Sequence, residues 1–515
     1  MVKFKKKIFV ILMVICLTFG ALSFVGCNDD NDDAMNEDVA PPESVTPSII
    51  ETNEDVTEEL TIDVNSYGEY FEGFGTSLCW WAQDVGRRTE KSGDTELREL
   101  AVKALFDKET GLGLTNLRYN LGANCDYSDY DSYYDKNRFA ESFMTMDGTL
   151  DFTRDSGAQW VLKRAVEYGV QHVTLFANSA PTYLTINGKA YCTNNARINL
   201  APENYSAYAK YFCDVAEHFI DEGIPVKEIS PINEPQWDWV TDGGQEGSHF
   251  TPNEVVEILL VFLSEMKSRD KLTGVKLAYP ECGEWKNETY NYLDAIMAND
   301  TLRSEIDAFS CHSYWSNKLD KTNFINYVNE HYEGLKLRQT EWCEMVNGRN
   351  VTMASAFTLA QEIIEDLSIL EVVSWDSWIG LSNYDYHDGL LYFENEGATL
   401  TLPKRYYAMA HFSQFITPGV LRIDSKITLA ESTKNSHLKH VVYRREDGKL
   451  VIVITNTLSD KVLDVSALAD YNNMEVYITS EDYSMERVYN GETLNRILVP
   501  TSSILTLVLN SDKVK

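Results

Sequence analysis

The chain of 515 residues carries 45 Lys and Arg residues against 79 Asp and Glu, a formal net charge of −34 at pH 7. Its hydrophobic fraction of 44% and charged fraction of 24% are typical of a globular protein and exclude a largely disordered one. So acidic a surface repels phosphates, and we therefore expect no nucleic acid partner. The length allows about two to four domains, or one large α/β barrel with a smaller companion.

The N-terminus has the pattern of an export signal. Lysines between positions 3 and 7 precede an apolar run over residues 8–24. The run ends in Phe24-Val25-Gly26-Cys27, which resembles a bacterial lipobox, so residues 1–26 are predicted to be a lipoprotein signal peptide and Cys27 the lipidated first residue. A plain cleaved signal or a single anchoring helix is the alternative. We expect a protein of the bacterial cell envelope, surface-exposed or periplasmic, that meets the membrane only through this lipid.

The segment that follows is acidic and rich in proline. Residues 27–59 contain no Lys or Arg and include Pro41, Pro42 and Pro47. Because like charges repel and proline stiffens the chain, this composition predicts a disordered tether.

The cysteines indicate neither a disulfide scaffold nor a metal site. Beyond Cys16 and Cys27 they are scattered without a CxxC pair, at Cys79, Cys125, Cys192, Cys213, Cys282, Cys311 and Cys343. No HExxH motif is present either, and we expect neither a metal nor a cofactor.

Short apolar runs alternate with longer helix-like stretches over residues 71–380. The candidate strand ends are residues 73–77, 117–120, 174–178, 229–235, 276–281, 309–315, 337–342 and 373–378, and helical periods occur over residues 160–168, 205–219, 254–266 and 354–367. This alternation predicts a (β/α)₈ TIM barrel over residues 71–418. A doubly wound open sheet is the alternative, although no glycine-rich fingerprint follows the first strand.

The pattern changes after Pro418. Short apolar or alternating runs at residues 438–443, 450–455, 475–479 and 504–509 are separated by Asp447-Gly448 and Asn490-Gly491. They predict an antiparallel β-sandwich over residues 419–515. The alternating segment at residues 60–70 is predicted to pair with it, which makes a TIM barrel fused to a discontinuous β-sandwich side domain.

Two glutamates fall at strand ends that face each other across a barrel. Asn233-Glu234-Pro235 ends the fourth strand and Thr340-Glu341 ends the seventh. Two carboxyl groups about 5–5.5 Å apart hydrolyse a glycosidic bond with retention, one as nucleophile and one as acid/base. Asn233 is placed to bind the sugar 2-hydroxyl. The alternative is that both glutamates are ordinary surface charges.

Several of these segments together resemble glycoside hydrolase family 30 over about residues 60–512. The resemblance rests on residues 71–77, Leu117-Arg118-Tyr119-Asn120, residues 230–239, Gln339-Thr340-Glu341, residues 384–390 and residues 404–419. It implies a barrel fused to a β-sandwich built from both chain ends, with Glu234 as acid/base and Glu341 as nucleophile. Residues 76–82 and 233–239, with Gln245-Glu246-Gly247, are most similar to the endo-β-1,6-galactanase branch.

Aromatic and polar residues near the strand ends are candidates for sugar binding, because sugar C–H faces pack on indole rings while hydroxyls need polar partners. By resemblance, Arg118 holds the nucleophile ionised. Glu281 and Glu344 compete as carboxylates, and His312 could equally be a structural histidine. The predicted substrate-binding residues are Arg118, Asn120, Asn233, Trp81, Trp237, His312, Tyr314, Trp315 and Trp378.

We therefore expect a monomeric, retaining endo-β-1,6-galactanase that trims the β-1,6-galactan side chains of arabinogalactan. One alternative is a β-1,6-glucanase or another β-glycanase of the same family. The other, from a different class, is a non-catalytic glycan-binding surface lipoprotein.

Overall fold

The computed structural model describes residues 49–393, 399–432 and 434–510. The predicted export signal, Cys27 and most of the predicted tether lie outside these residues. The end of the tether segment is folded, because Ile50 is fully buried in the core of the side domain and the Thr57 amide donates to the Val462 carbonyl over 2.9 Å. The first strand accordingly begins at Glu58, two residues before the predicted start.

The predicted (β/α)₈ barrel is confirmed. Its parallel strands are Gly73–Ser77, Asn116–Asn120, His172–Phe176, Val226–Ser230, Lys276–Leu277, Ala308–Cys311, Lys336–Gln339 and Ser374–Ser382. The last strand pairs with the first, and a bridge between Cys282 and Cys311 joins the fifth to the sixth. Four of the eight strands are buried along their whole length because helices cover the outside of the barrel. A short extension, Gly389–Phe393 and Leu400–Thr401, continues the sheet beyond the eighth strand.

A helical layer surrounds these strands. Its main helices are Leu97–Phe106, Ser156–Tyr168, Tyr205–Asp221, Pro252–Lys267, Thr289–Ala298 with Asp300–Glu305, Lys318–His331, Met353–Glu365 with the π-turn Asp366–Leu370, and Lys404–Ser413. The helix Pro252–Lys267 shows how the sequence sets such an element. Thr251, just before Pro252, forms a reciprocal capping box with Glu254, and an apolar stripe from Val255 to Met266 faces the core. None of the helices in the described segments is long and apolar enough to span a membrane.

The β-sandwich side domain combines both ends of the described chain. Its strands are Glu58–Tyr70, Leu421–Leu429, Lys439–Arg444, Leu450–Asn456, Lys461–Asp464, Asn473–Thr479, Ser484–Glu492, Arg496–Val499 and Ser503–Asn510. The strand Glu58–Tyr70 pairs antiparallel with Leu421–Leu429 and parallel with Lys461–Asp464. Alternation decides which face each side chain joins: Val451 and Val453 pack with the barrel, whereas Ile452 and Ile454 enter the side domain's own core.

A histidine links the two domains. His411, in the last barrel helix, is fully buried, and its two ring nitrogens bond the hydroxyls of Thr506 at 2.8 Å and Thr479 at 2.9 Å. Burial lowers the pKa of His411 to about 3, so the ring is neutral near pH 7. The side domain is thus held to the barrel by a neutral polar contact as well as by apolar packing.

Candidate active site

Glu234 lies four residues beyond the fourth barrel strand in a backbone conformation unusual for its residue type. Its φ is 44°, in the left-handed region, which costs about 1–3 kcal/mol for a residue other than glycine. Two hydrogen bonds hold it there. The Glu234 amide donates to the Glu281 carbonyl over 2.6 Å, and Trp239 Nε1 donates to the Glu234 carbonyl over 2.9 Å. These contacts aim the Glu234 carboxyl group into the barrel mouth.

Glu341 follows the seventh strand and faces Glu234. Arg118 Nη1 donates to Glu341 Oε2 over 2.9 Å, and the Tyr314 hydroxyl donates to Oε1 over 3.0 Å. A carboxylate oxygen of Glu234 lies within 4.8 Å of one of Glu341. Both glutamates are buried, so each is largely removed from bulk water.

A second row of charged groups lies beneath this pair. His312 Nδ1 is 2.9 Å from Glu234 Oε1 and 3.6 Å from Glu341 Oε1. Arg118 Nη2 donates to Glu281 over 2.6 Å, and His312 Nε2 is 3.5 Å from the same Glu281 oxygen. The Ser230 hydroxyl also donates to Glu281. Glu281 is therefore the anion that orients Arg118 and His312 toward the facing glutamates.

The charges of this cluster determine its protonation. Burial lowers the pKa of His312, but Glu341, Glu234 and Glu281 outweigh it and raise that pKa to about 9. Burial also acts to raise the pKa of Glu281, whereas Arg118 and His312 bring it to about 2. Burial raises the pKa of Glu341, and the positive charges of His312 and Arg118 oppose that shift. His312 and Arg118 are thus both cations near pH 7, which favours an ionised Glu341.

Glu234, His312 and Glu341 are also residue types that bind metals, and one ligand atom of each lies within 4.8 Å of the others. A protonated imidazole has no free lone pair for a metal ion. The Arg118 guanidinium, 2.9 Å from Glu341, would also repel a cation at this position. The arrangement therefore fits proton transfer and nucleophilic attack better than metal binding.

The cleft above the glutamates has a volume of about 1170 Å³ and contains two aromatic groups. In the first, the Trp80 ring centroid is 4.9 Å from that of Trp378 and 6.3 Å from that of Tyr384. In the second, the Trp237 and Trp315 centroids are 5.6 Å apart, and Trp315 is 54% exposed. Two separate aromatic platforms suit a chain of sugar rings better than a single ring.

The structure brings most of the predicted site residues together. The cleft is lined by Asn233, Glu234, Trp237, Tyr314, Trp315, Glu341 and Trp378, and Arg118 and His312 lie directly beneath it. Asn120 is set back behind Asn178, whose Nδ2 donates to Asn120 Oδ1 over 3.4 Å.

Two predicted candidates are placed elsewhere. Trp81 is 1% exposed in the barrel core, where its Nε1 donates to the Ser77 carbonyl over 2.9 Å. Its neighbour Trp80 lines the cleft instead. Glu344, the competing carboxylate, is paired with Arg405 at 2.6 Å and His387 at 3.0 Å and does not line the cleft.

Several cleft residues are absent from the predicted substrate-binding set. Asn178 could have been found from its position at the end of the third strand. Glu246 also lines the cleft and belongs to the Gln245-Glu246-Gly247 segment that carries part of the family resemblance. Arg138 and Lys286 line it too, but they lie in irregular loops without periodicity. The Arg138 guanidinium carbon is 4.2 Å from the Trp80 ring centroid, a cation–π contact that supports the first aromatic group.

Gly283 permits the close packing around Glu234, which leads to a prediction. A Cβ atom at this position would lie 2.8 Å from Glu234 Oε1, 2.7 Å from Gln236 Nε2 and 2.9 Å from Trp237 Nε1. These are side-chain ends that can move, so Gly283→Ala should fold normally but displace the Glu234 carboxyl group. Since a misplacement near 1 Å costs about 10²-fold in rate, we expect kcat/KM to fall by about 10²-fold with Tm nearly unchanged.

Gly68→Ala is the matched control for this variant. Its Cβ would be 3.4 Å from the nearest atom, Arg422 Nε, in the side domain. It should change neither rate nor Tm. Full activity of Gly283→Ala would show that Glu234 does not depend on this packing.

A (β/α)₈ barrel with two buried, facing glutamates after its fourth and seventh strands has the architecture of a glycoside hydrolase. The model of O-glycosyl hydrolase family 30 matches residues 57–392. The chain belongs to this family, and the protein is a family 30 glycoside hydrolase.

Among its relatives, an endo-β-1,6-galactanase from Hypocrea rufa is 25% identical over 416 residues, which cover 77% of this chain and 81% of the relative. The crystal structure of a conserved exported protein from Bacteroides fragilis has the same fold, with a TM-score of 0.76, 22% identity and coverage of 88% of this chain and 100% of that one. A solved endo-β-1,6-glucanase also shares the fold, with a TM-score of 0.64, 16% identity and coverage of 88% and 93%.

Proposed function

We propose that the protein is a retaining endo-β-1,6-galactanase, with Glu341 as nucleophile and Glu234 as acid/base. The observation that carries the mechanism is the facing of these two buried carboxyl groups, whose nearest ligand oxygens lie within 4.8 Å. A gap of this size leaves no room for a water molecule to attack the sugar from the opposite face, as an inverting enzyme requires.

Each residue of the cluster has a part in the two steps. Ionised Glu341 attacks the anomeric carbon while Glu234 gives its proton to the departing glycosidic oxygen, which forms a glycosyl ester and releases the leaving sugar. Glu234 then takes a proton from water, and the resulting hydroxide oxygen replaces Glu341 at the anomeric carbon. Arg118 and Tyr314 hold Glu341 in place through hydrogen bonds of 2.9 and 3.0 Å.

Two observations support the choice of substrate. The relative from Hypocrea rufa, aligned over 77% of this chain, is an endo-β-1,6-galactanase. The cleft of about 1170 Å³ exceeds the range of about 300–1,000 Å³ usual for small ligands, which favours an oligosaccharide bound across the scissile bond. The proposal includes anchoring at the bacterial cell envelope through lipidated Cys27, which fits access to an external polysaccharide such as arabinogalactan.

The test compares kcat/KM on β-1,6-galactotriose and β-1,6-glucotriose, with NMR of the earliest product. Galactose and glucose differ at the 4-hydroxyl, and an unpaired buried polar group costs about 1–3 kcal/mol, which corresponds to about 5–150-fold in rate. We expect a preference of this size for galactotriose and a β-anomer as first product. Equal rates or a glucan preference would overturn the galactanase assignment alone, and an initial α-anomer would overturn the retaining mechanism.

A further inference from the structure

Another buried glutamate, Glu246, borders the cleft without a part in the two chemical steps. Glu246 lies in the loop between the fourth strand and the helix Pro252–Lys267, and it is 3% exposed. Its Oε1 accepts hydrogen bonds from the Ala123 amide at 3.2 Å and Asn124 Nδ2 at 2.8 Å. One end of the carboxyl group is thus fixed against the loop that follows the second strand.

The Ala140 amide lies near the carboxyl group and acts to lower its pKa, but the second oxygen, Oε2, is buried and accepts no hydrogen bond of normal geometry from the described residues. A buried polar atom that nothing bonds destabilises the folded chain. A ligand hydroxyl in the cleft would supply the missing hydrogen bond to Oε2. A carboxyl group with a purely structural role would take this bond from the protein itself.

The surroundings of Glu246 favour an uncharged acid. Burial raises its pKa to about 8, so it is protonated at neutral pH and has an O–H to donate. The ionisable groups coupled electrostatically to it are Asp155, Tyr133, Cys79, Tyr208 and Tyr211, and none of these five is a cation. Two arginines bond residues beside it: Arg138 donates to Gln245 Oε1 and Arg154 to the Asn124 carbonyl, each over 3.1 Å. A neutral donor suits a neutral sugar hydroxyl. Glu246 lines the same cleft as Glu234 and Glu341.

We propose that Glu246 is a specificity-determining residue whose free Oε2 hydrogen-bonds a ring hydroxyl that distinguishes sugar epimers, the axial 4-hydroxyl of galactose. This rests on the proposed galactanase function. Glucose carries its 4-hydroxyl in the equatorial direction, so in the same position it would leave Glu246 unpaired. Discrimination between the two sugars would then depend on this one side chain.

The test uses Glu246→Gln and Glu246→Met with both trioses. Gln keeps an acceptor for Ala123 and Asn124 and offers an N–H in place of the Oε2 proton, whereas Met removes both. For Met we expect kcat/KM to fall about 5–150-fold on galactotriose and less than about threefold on glucotriose. For Gln we expect both values within about threefold of wild type, as expected where one neutral donor replaces another.

Two controls separate recognition from structure. Glu141, in the loop after the second strand against which Glu246 packs, accepts from the Asp155 amide at 3.1 Å and does not line the cleft, so Glu141→Met should affect both trioses equally. As pH rises through about 8, Glu246 loses its proton, so the galactotriose rate of wild type should fall relative to that of Glu246→Gln. The Glu341→Gln variant should bind the trioses without hydrolysing them. Titrating it with both trioses, with and without Glu246→Met, compares their dissociation constants in the same way as kcat/KM.

An equal loss on both trioses in Glu246→Met, or a Gln variant as impaired as Met, would overturn the role of Glu246. The wild-type preference alone tests the galactanase proposal, whereas the change in preference between variants tests Glu246. The two can therefore fail separately.

Discussion

Replacing Glu341 by glycine is expected to lower kcat by about 10⁴- to 10⁶-fold, the range seen when a catalytic nucleophile or its partner is removed. Glycine has no side chain, so a space is left beneath the anomeric carbon. Azide should enter it and restore turnover of an activated aryl glycoside, and the product should be the α-glycosyl azide. NMR of that product checks the assignment.

Replacing Glu234 by alanine should give a different result. An activated leaving group needs no proton, so formation of the glycosyl ester should proceed while its hydrolysis stalls. Azide should then attack the ester and release the β-glycosyl azide. Glu344→Gln is the matched control, because Glu344 is paired with Arg405 at 2.6 Å and should show no azide effect. An azide effect there, or none in the Glu341 and Glu234 variants, would contradict the assignment.

Replacing Arg118 by methionine is expected to have the largest effect on stability. Arg118 is 1% exposed and forms ion pairs with Glu281 at 2.6 Å and Glu341 at 2.9 Å. Removing one partner of a buried ion pair costs about 3–5 kcal/mol, because the remaining charges stay buried without compensation. We expect a loss of this size in the free energy of unfolding, measured by urea titration.

The same variant should change the pH dependence of activity. Arg118 lowers the pKa of Glu341, so without it that pKa rises and the nucleophile is protonated over a wider pH range. The acidic limb of kcat/KM should therefore move to higher pH. Arg87→Met is the control: its pair with Glu141 spans 3.7 Å at a 54% exposed side chain, so stability should change by less than about 1 kcal/mol. An unchanged acidic limb in Arg118→Met would show that Arg118 does not hold Glu341 ionised.

The architecture could be predicted because its signals are local. Barrel strands are buried on both faces and appear in the sequence as short apolar runs. Helices such as Pro252–Lys267 are recognised by an apolar stripe and a capping box. The lengths of the strands were harder to predict from the sequence. The fifth strand is only Lys276–Leu277 and the eighth extends to Ser382, because hydrogen bonding to neighbouring strands decides where pairing ends.

The adjacent residues Trp80 and Trp81 show what local sequence patterns cannot predict. Trp80 has a φ of 68°, in the left-handed region, and lines the cleft, while Trp81 turns inward to the core. The resemblance of both residues to cleft aromatics gave no means of telling them apart. A left-handed residue that is not glycine depends on contacts formed only in the folded chain, such as the packing of Trp80 against Trp378 and Arg138.

By itself the sequence determined the fold class and which strand ends carry Glu234 and Glu341, because both follow from periodicity and strand order along the chain. Only the tertiary structure decided that Glu281 orients Arg118 and His312, and that Glu246 borders the cleft with one oxygen unpaired. Those relationships join residues far apart in the chain. Their charges and hydrogen bonds act over a few ångströms in space. The separation of these residues along the sequence does not reveal that they are this close in the folded chain.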